Sequence, residues 1–242
     1  MKNASALDFL ATRRSRPAKT LSQPVPNREQ LRDLLTIAAR TPDHGKLEPW
    51  RFIVLDRARL KELHTTIDEA GKRLNEDAER IEKMKNQFGN ADLAVAVIFV
   101  PKPSHKVPEI EQIYSAGAVC LALLNAALAS GWGANWLSGW ASHDREWCET
   151  ALSLGPRERV AGFIHIGTET SAPPERPRPD VDAITEDLAA PAPAFDVFAA
   201  PDISTIDLAV PLPAPVLNVP APVLDGPASE SDDGPIAALS LD

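Results

Sequence analysis

Residues 93–100 read LAVAVIFV, eight apolar side chains with no polar position to turn toward water. An amphipathic helix or a half-exposed strand would show a period of 3.6 or 2 here, and neither is present. Such a run suits a central strand covered on both faces, so the chain must supply a layer on either side of a sheet. GFIHIGT (162–168) has the same character and gives a second buried strand. RFIVLD (51–56), with its β-branched residues, gives a third.

Helical patterns lie between these strands. Ala4 to Thr12 carries Leu7, Phe9 and Leu10 and ends at Arg13-Arg14-Ser15. Asn27 is placed as an N-cap with Gln30 completing a capping box, and Leu31, Leu34, Leu35 and Ala38 share one face before Pro42 stops the helix. From Arg57 to Gln87 the pattern is helical and highly charged, with Leu60, Leu63, Ile67, Leu74, Ile81 and Met84 as its apolar stripe. Pro108 opens a helix running to about Ser130, ANWLSG (134–139) reads as a short strand or loop edge, and Asp144 to Leu152 as a further helix. Some connections are too short for a regular βαβ repeat. The expected fold is therefore α+β, a mixed central sheet clad in helices.

The character changes after Thr170. Fourteen of the 23 prolines fall between Ser171 and Asp242, and PAPVLNV (213–219) is followed directly by PAPVLDG (220–226). Residues 174–242 hold 2 basic and 13 acidic side chains against 23 and 21 in residues 1–173, so the net charge of −9 divides into +2 and −11. Proline at this density prevents regular structure, which makes 1–173 the folded domain and 174–242 an acidic, Pro/Ala-rich extended tail. Its apolar islands FDVF, IDLAVPL and APVL leave open a docking role toward a protein partner beside that of a plain spacer.

The near-neutral body lacks the basic surplus that phosphate-backbone binding needs, so no nucleic-acid partner is expected. The longest apolar stretch, Ala116 to Ala129, has 14 residues and contains Asn125, short of the about 20 that span a bilayer. Cys120 and Cys148 form no disulfide framework or zinc pattern, and Cys120, in GAVCLALLNAAL, reads as a core thiol. A soluble, cytoplasmic protein is expected.

No GxGxxG follows a strand, no P-loop or GxSxG elbow occurs, and the five histidines show no metal-binding pair. Gly131-Trp132-Gly133 reads as a tight exit from the preceding helix. Three features remain. Arg13-Arg14-Ser15 offers forked donors and a hydroxyl to a phosphate monoester, or is a surface pair at a helix end. RTPDHGKLEPW (40–50) places Arg40, Asp43, His44, Lys46 and Glu48 in one loop, with Asp43 free to cap a turn and His44 to meet a ligand edge. Trp132, Trp136 and Trp140 recur every four residues among glycines that argue against a helix, leaving core packing or a flat ligand surface.

Taken in order, these pieces resemble the FMN-dependent nitroreductase family, in its small-subunit NAD(P)H nitroreductase subgroup. The resemblance rests on Arg13-Arg14-Ser15, on Ala39-Arg40-Thr41-Pro42-Asp43-His44 with Pro49-Trp50, and on His105-Lys106-Val107-Pro108 with Glu111-Gln112 and Ser115-Ala116-Gly117. It ends with Trp136-Leu137-Ser138-Gly139, Gly162-Phe163 and Gly167-Thr168, so it covers about 7–170 and none of the tail. It implies an intertwined homodimer with two interfacial FMN sites. Arg13, Arg14 and Ser15 would hold the phosphate and ribityl chain, and Arg40 and His44 would reach the flavin of the opposite subunit. Trp136, Leu137 and Ser138 would line the ring, and Ala126, Ala127, Leu128, Ala129, Ser130 and Gly131 would lie near the nicotinamide.

The resemblance also implies a ping-pong oxidoreductase. It would take hydride from NAD(P)H and pass it to a small electron acceptor such as a nitroaromatic or quinone, with the flavin and no protein nucleophile carrying the chemistry and no metal. A same-fold flavin enzyme for dehalogenation or substrate dehydrogenation, or a dimeric scaffold whose tail recruits a protein, are the alternatives. The chain departs from the family in Gly45-Lys46-Leu47-Glu48, where the family often has Asn or Ser and then Gln before Pro-Trp, and at Leu137, where a relative can carry Arg. After the last strand, GTETSAPPERPR leaves only Arg176 or Arg178 to add phosphate contacts.

Overall fold

The computed structural model describes residues 2–186. Its helices are α1 (Ala4–Thr12), α2 (Arg28–Ala38), α3 (Arg57–Arg73), α4 (Ala78–Gly89), α5 (Glu109–Ala129) and α6 (Arg145–Leu152). Its strands are β1 (Leu21–Ser22), β2 (Trp50–Asp56), β3 (Leu93–Phe99), β4 (Gly133–Leu137) and β5 (Arg159–Glu169). The compact unit runs from Met1 to Arg178; beyond it the described residues hold one 3₁₀ turn, Asp182–Ile184. Most of the expected tail, with FDVF, IDLAVPL and APVL, lies outside the described residues.

All seven residues of β3 are buried, and their alternation divides the core in two. Ala94, Ala96 and Ile98 face a cluster built from α3, α4 and α6, including Leu60, Leu63, Ile67, Phe88, Trp147 and Cys148. Leu93, Val95 and Val97 face α2 and α5 through Leu31, Leu34, Val119, Leu123 and Leu124. β3 pairs with β2 on one side and with β5 on the other, while β5 also holds β4 and β1 along its remaining edge. The α+β class stands. Every pairing among the described residues is antiparallel, so the expected mixed sheet is corrected to an antiparallel one.

Local chemistry sets the helix boundaries. Asn27 and Gln30 form the reciprocal capping box, and the carboxylates of Asp56, Asp77 and Asp144 each accept an amide N–H at the start of α3, α4 and α6. The single helix expected over 57–87 is two. Asn75 takes a left-handed φ of 56°, Asp77 caps a new start, and α4 folds back on α3. At the end of α5, Gly131 (φ 84°) supplies the left-handed residue, with Gly131 N–H donating to Leu128 O and Trp132 N–H to Ala127 O. That is the tight exit the sequence implied.

α5 is longer than the 14-residue apolar stretch, because its polar first turns extend it to 21 residues, and by length and composition it could cross a membrane. Here it serves as a core helix, with Ala116, Val119, Cys120, Leu123 and Ala127 fully buried. Burial pushes the Cys120 thiol up to about 12 and the Cys148 thiol up to about 11, so neither is a ready thiolate.

His165 sits in the middle of β5 at 1% exposure, with no hydrogen-bond partner for either ring nitrogen among the described residues. Burial lowers its pKa from 6.5 to about 4, so the folded protein holds it neutral. The unfolded chain binds this proton first. Stability is therefore full above pH 6.5 and falls with pH toward 4, by about 3 kcal/mol for this one group. Urea unfolding of the wild type should show that loss between pH 7 and pH 4.5, and His165→Leu should flatten it.

Candidate functional site

The segment after α1 is fixed to the sheet by backbone as well as charge. Arg16 N–H donates to Ala134 O (2.8 Å), Asn135 Nδ2 donates to Arg16 O (2.8 Å), and Arg16 Nε meets Glu169 Oε2 at 2.7 Å. Arg13, Arg14 and Ser15 are thereby held at the β4–β5 edge. Arg13 and Arg14 line a cleft of about 280 Å³ with Phe9, Arg16, Leu128, Gly131, Trp132 and Glu169 among others.

Within that cleft Arg13 Nη2 donates to Ser15 Oγ (3.0 Å) and Arg14 Nη2 to Pro174 O (2.7 Å). The Nε–H groups of both Arg13 and Arg14 are buried with no hydrogen-bond partner among the described residues, Arg14 Nε having only the longer approach of Glu175 Oε2 at 3.9 Å. Burial, then the positive charges of Arg178, Arg14 and Arg16, hold the Arg13 guanidinium below its ordinary pKa. Four arginines thus share one neighbourhood, with two donors unsatisfied. An anion placed there would relieve both the repulsion and the orphaned donors. Glu175, which pairs with Arg178 at 2.9 Å and lies 3.9 Å from Arg14, offsets only part of the charge.

The expected nicotinamide segment is divided by burial. Ala126 and Ala127 belong to the core that α5 covers, and their side chains pack inward. Leu128 and Gly131 line the arginine cleft, and Ala129 and Ser130 lie on the surface at the helix end.

Trp136 lies on β4 opposite Ile164, with its indole packed over Gly162. Leu137 pairs with Phe163, and Ser138 just beyond lines a second cleft of about 200 Å³ with Arg80, Lys83, Met84, Gln87, Gly139 and Trp140. Gln87 Nε2 is buried without a hydrogen-bond partner among the described residues. The three tryptophans divide between sides: Trp132 packs against the α2/α5 core and Trp140 against the α3/α4/α6 core.

The Arg40–Trp50 loop belongs to neither cleft. Arg40 is exposed, with no side-chain hydrogen bond or ion pair among the described residues. His44 Nδ1 lies 2.6 Å from Glu111 Oε2 on α5, Ser115 Oγ donates to Pro42 O, and Asp43 Oδ2 accepts from Glu48 N–H at 2.6 Å. Asp43 therefore closes its own loop. Lys46 and Glu48 both line a depression of about 210 Å³ with Trp50, and they form no ion pair with each other. One chain consequently brings Arg13, Arg14 and Ser15 together with part of the α5 end, and leaves Arg40 and His44 elsewhere.

Sequence reasoning assigned no site role to Arg16, Glu169, Gln87 or Glu111, although Glu111 lies in a stretch that carries the resemblance. Arg16 stood next to the arginine pair and could have been included. The other three are brought in by tertiary packing and leave no local signal.

Residues 10–168 match the Nitroreductase family. The chain is 36% identical over 165 residues to a Haemophilus influenzae protein named "Putative NAD(P)H nitroreductase", covering 67% of this chain and 88% of that one. It is 32% identical over 163 residues to "Putative NAD(P)H nitroreductase YdjA" of Escherichia coli K12, covering 67% and 87%. Its fold superposes with a TM-score of 0.58, at 21% identity, on a Desulfovibrio desulfuricans nitroreductase-type protein crystallised in complex with FMN, covering 80% of this chain and all of that one. This chain belongs to the nitroreductase family, a family of oxidoreductases.

A Cβ at position 162 would fall 2.0 Å from Trp136 Nε1. Gly162→Ala should therefore displace the indole and destabilise the fold by about 1–3 kcal/mol. A thermal melt and the tryptophan emission spectrum check both effects.

Proposed function

We propose that the chain is an FMN-dependent oxidoreductase that takes hydride from NAD(P)H and delivers it to nitroaromatic, quinone or similar acceptors in a ping-pong cycle. The observation that carries this reading is the pair of buried Nε–H donors of Arg13 and Arg14, neither hydrogen-bonded among the described residues, in an arginine-lined cleft. Those donors suit the phosphate of FMN, with Ser15 directed to the polyol and Arg178 adding charge from beyond the last strand. Trp136 and Leu137, at the end of β4, and Ser138 just beyond it would line the flavin ring. Bound FMN would supply the hydride-transfer chemistry; the protein supplies the anion site, a flat apolar wall and positive charge toward the reduced ring.

The separation of Arg40 and His44 from the arginine cleft supports a homodimer in which each site draws on both chains. An apolar surface is at hand on α5, where Ile110, Ile113, Tyr114 and Leu121 are exposed, Tyr114 to 68%. In this reading the flavin domain comprises 1–173, with Pro174 to Arg178 strapped onto Arg14, and the acidic remainder is an appendage with room for a protein partner. In this reading the protein works in the cytoplasm.

Purified full-length protein should be yellow or take up added FMN, and should oxidise NAD(P)H when a nitroaromatic or quinone is present. Two charge-assisted contacts lie behind the phosphate, so Arg13→Ala with Arg14→Ala should weaken FMN binding about 100-fold or more while leaving the dimer intact by light scattering. A colourless protein that binds no FMN, or a double variant with wild-type affinity, would sink the assignment. Holoprotein that oxidises NAD(P)H with neither acceptor class would shift it to another flavin reaction.

A further inference from the structure

His44 and Glu111 are 67 residues apart in sequence, one in the loop before β2 and the other in the first turn of α5. Their side chains meet at 2.6 Å between Nδ1 and Oε2. An ionised carboxylate can only accept, so the proton in this bond belongs to Nδ1. A neutral imidazole is then held as the Nδ1–H tautomer, with Nε2 a bare acceptor. A cationic ring keeps the same bond and presents Nε2–H as a donor. The ring is 59% exposed, which leaves Nε2 open to a ligand from outside its own chain.

The surroundings hold this pair in place. Ser115, one helical turn along α5 from Glu111, donates to Pro42 O at 3.1 Å, and the Asp43–Glu48 bond closes the loop. Val107 packs beside Gly45. The carboxylate of Glu111 lies where the α5 N-terminus favours negative charge. Its neighbour Glu109 is engaged by Arg157 at 2.5 Å and does not compete for the imidazole. The other charged or titratable groups of these elements are Arg40, Asp43, Lys46 and Glu48 on the loop, His105 and Lys106 ahead of α5, and Tyr114 and the buried Cys120 on α5 itself.

We infer that Glu111 is a positioning residue, which fixes the proton on Nδ1 of His44 and so decides what Nε2 offers to the flavin of the partner copy. The inference rests on the assignment of His44 to the flavin. It goes further by giving the opposite end of the ring a fixed chemical state, set by a residue that itself touches no cofactor.

The test uses full-length protein with and without FMN. Imidazole ¹⁵N shifts of His44, from long-range ¹H–¹⁵N correlation, should show the Nδ1–H tautomer in the wild type, and Glu111→Ala should move the ring toward the Nε2–H form. Loss of the pair should weaken FMN binding about fivefold, the scale of an exposed ion pair, and Glu111→Asp should recover part of that loss. His44→Ala should weaken binding at least as much, with the double variant no worse than His44→Ala alone. A wild-type Nε2–H tautomer, additive losses, or unchanged affinity in Glu111→Ala beside a weakened His44→Ala would overturn the role of Glu111. Wild-type affinity in His44→Ala would instead remove the flavin assignment of His44, and the inference with it, whatever the tautomer. Thermal midpoints of all variants separate these outcomes from loss of fold.

Discussion

A strand buried on both faces has no water to satisfy its backbone, so β3 requires a hydrogen-bonded neighbour on each side and an apolar layer above and below. β2 and β5 meet the first demand, and the two helical layers meet the second. The requirement extends outward from there. β5, at 11 residues, outlasts β3 and carries β4 and β1 on its far edge, and β4 in turn holds the backbone of Arg16. The arginine cleft therefore owes its position to a chain of backbone pairings that begins at the most apolar run in the sequence.

Much of this could be read beforehand because its causes are local. The capping box at Asn27, the helix exit at Gly131 and the buried strands each follow from a few adjacent residues. The break between α3 and α4 was also written locally, in Asn75 and Asp77. It was hidden because the apolar stripe continues across it, so that periodicity outweighed the turn. The antiparallel sheet was less legible, since pairing direction is a property of the whole fold.

For the site, residue type located the arginines but not their company. Arg13 and Arg14 were visible as a motif, whereas the orphaned Nε–H groups and the approach of Arg178 exist only after folding. Burial also divided the segment 126–131, since one helix end cannot show all of its residues to a ligand when its inner face packs on a sheet. Glu111 lay within a recognised stretch, yet its partner was 67 positions away, beyond the reach of any spacing rule.

The loop from Arg40 to Trp50 contains three left-handed residues, Gly45 (φ 75°), Lys46 (φ 55°) and Glu48 (φ 49°), two of which carry side chains that disfavour that region. Each of those two costs about 1–2 kcal/mol of local strain, and the Asp43, His44 and Pro42 contacts offset it. A segment so constrained has already given up its freedom before any partner approaches. A second chain docking here would order nothing new in this loop, and the entropy that usually opposes the docking of a charged surface loop would be small from the outset.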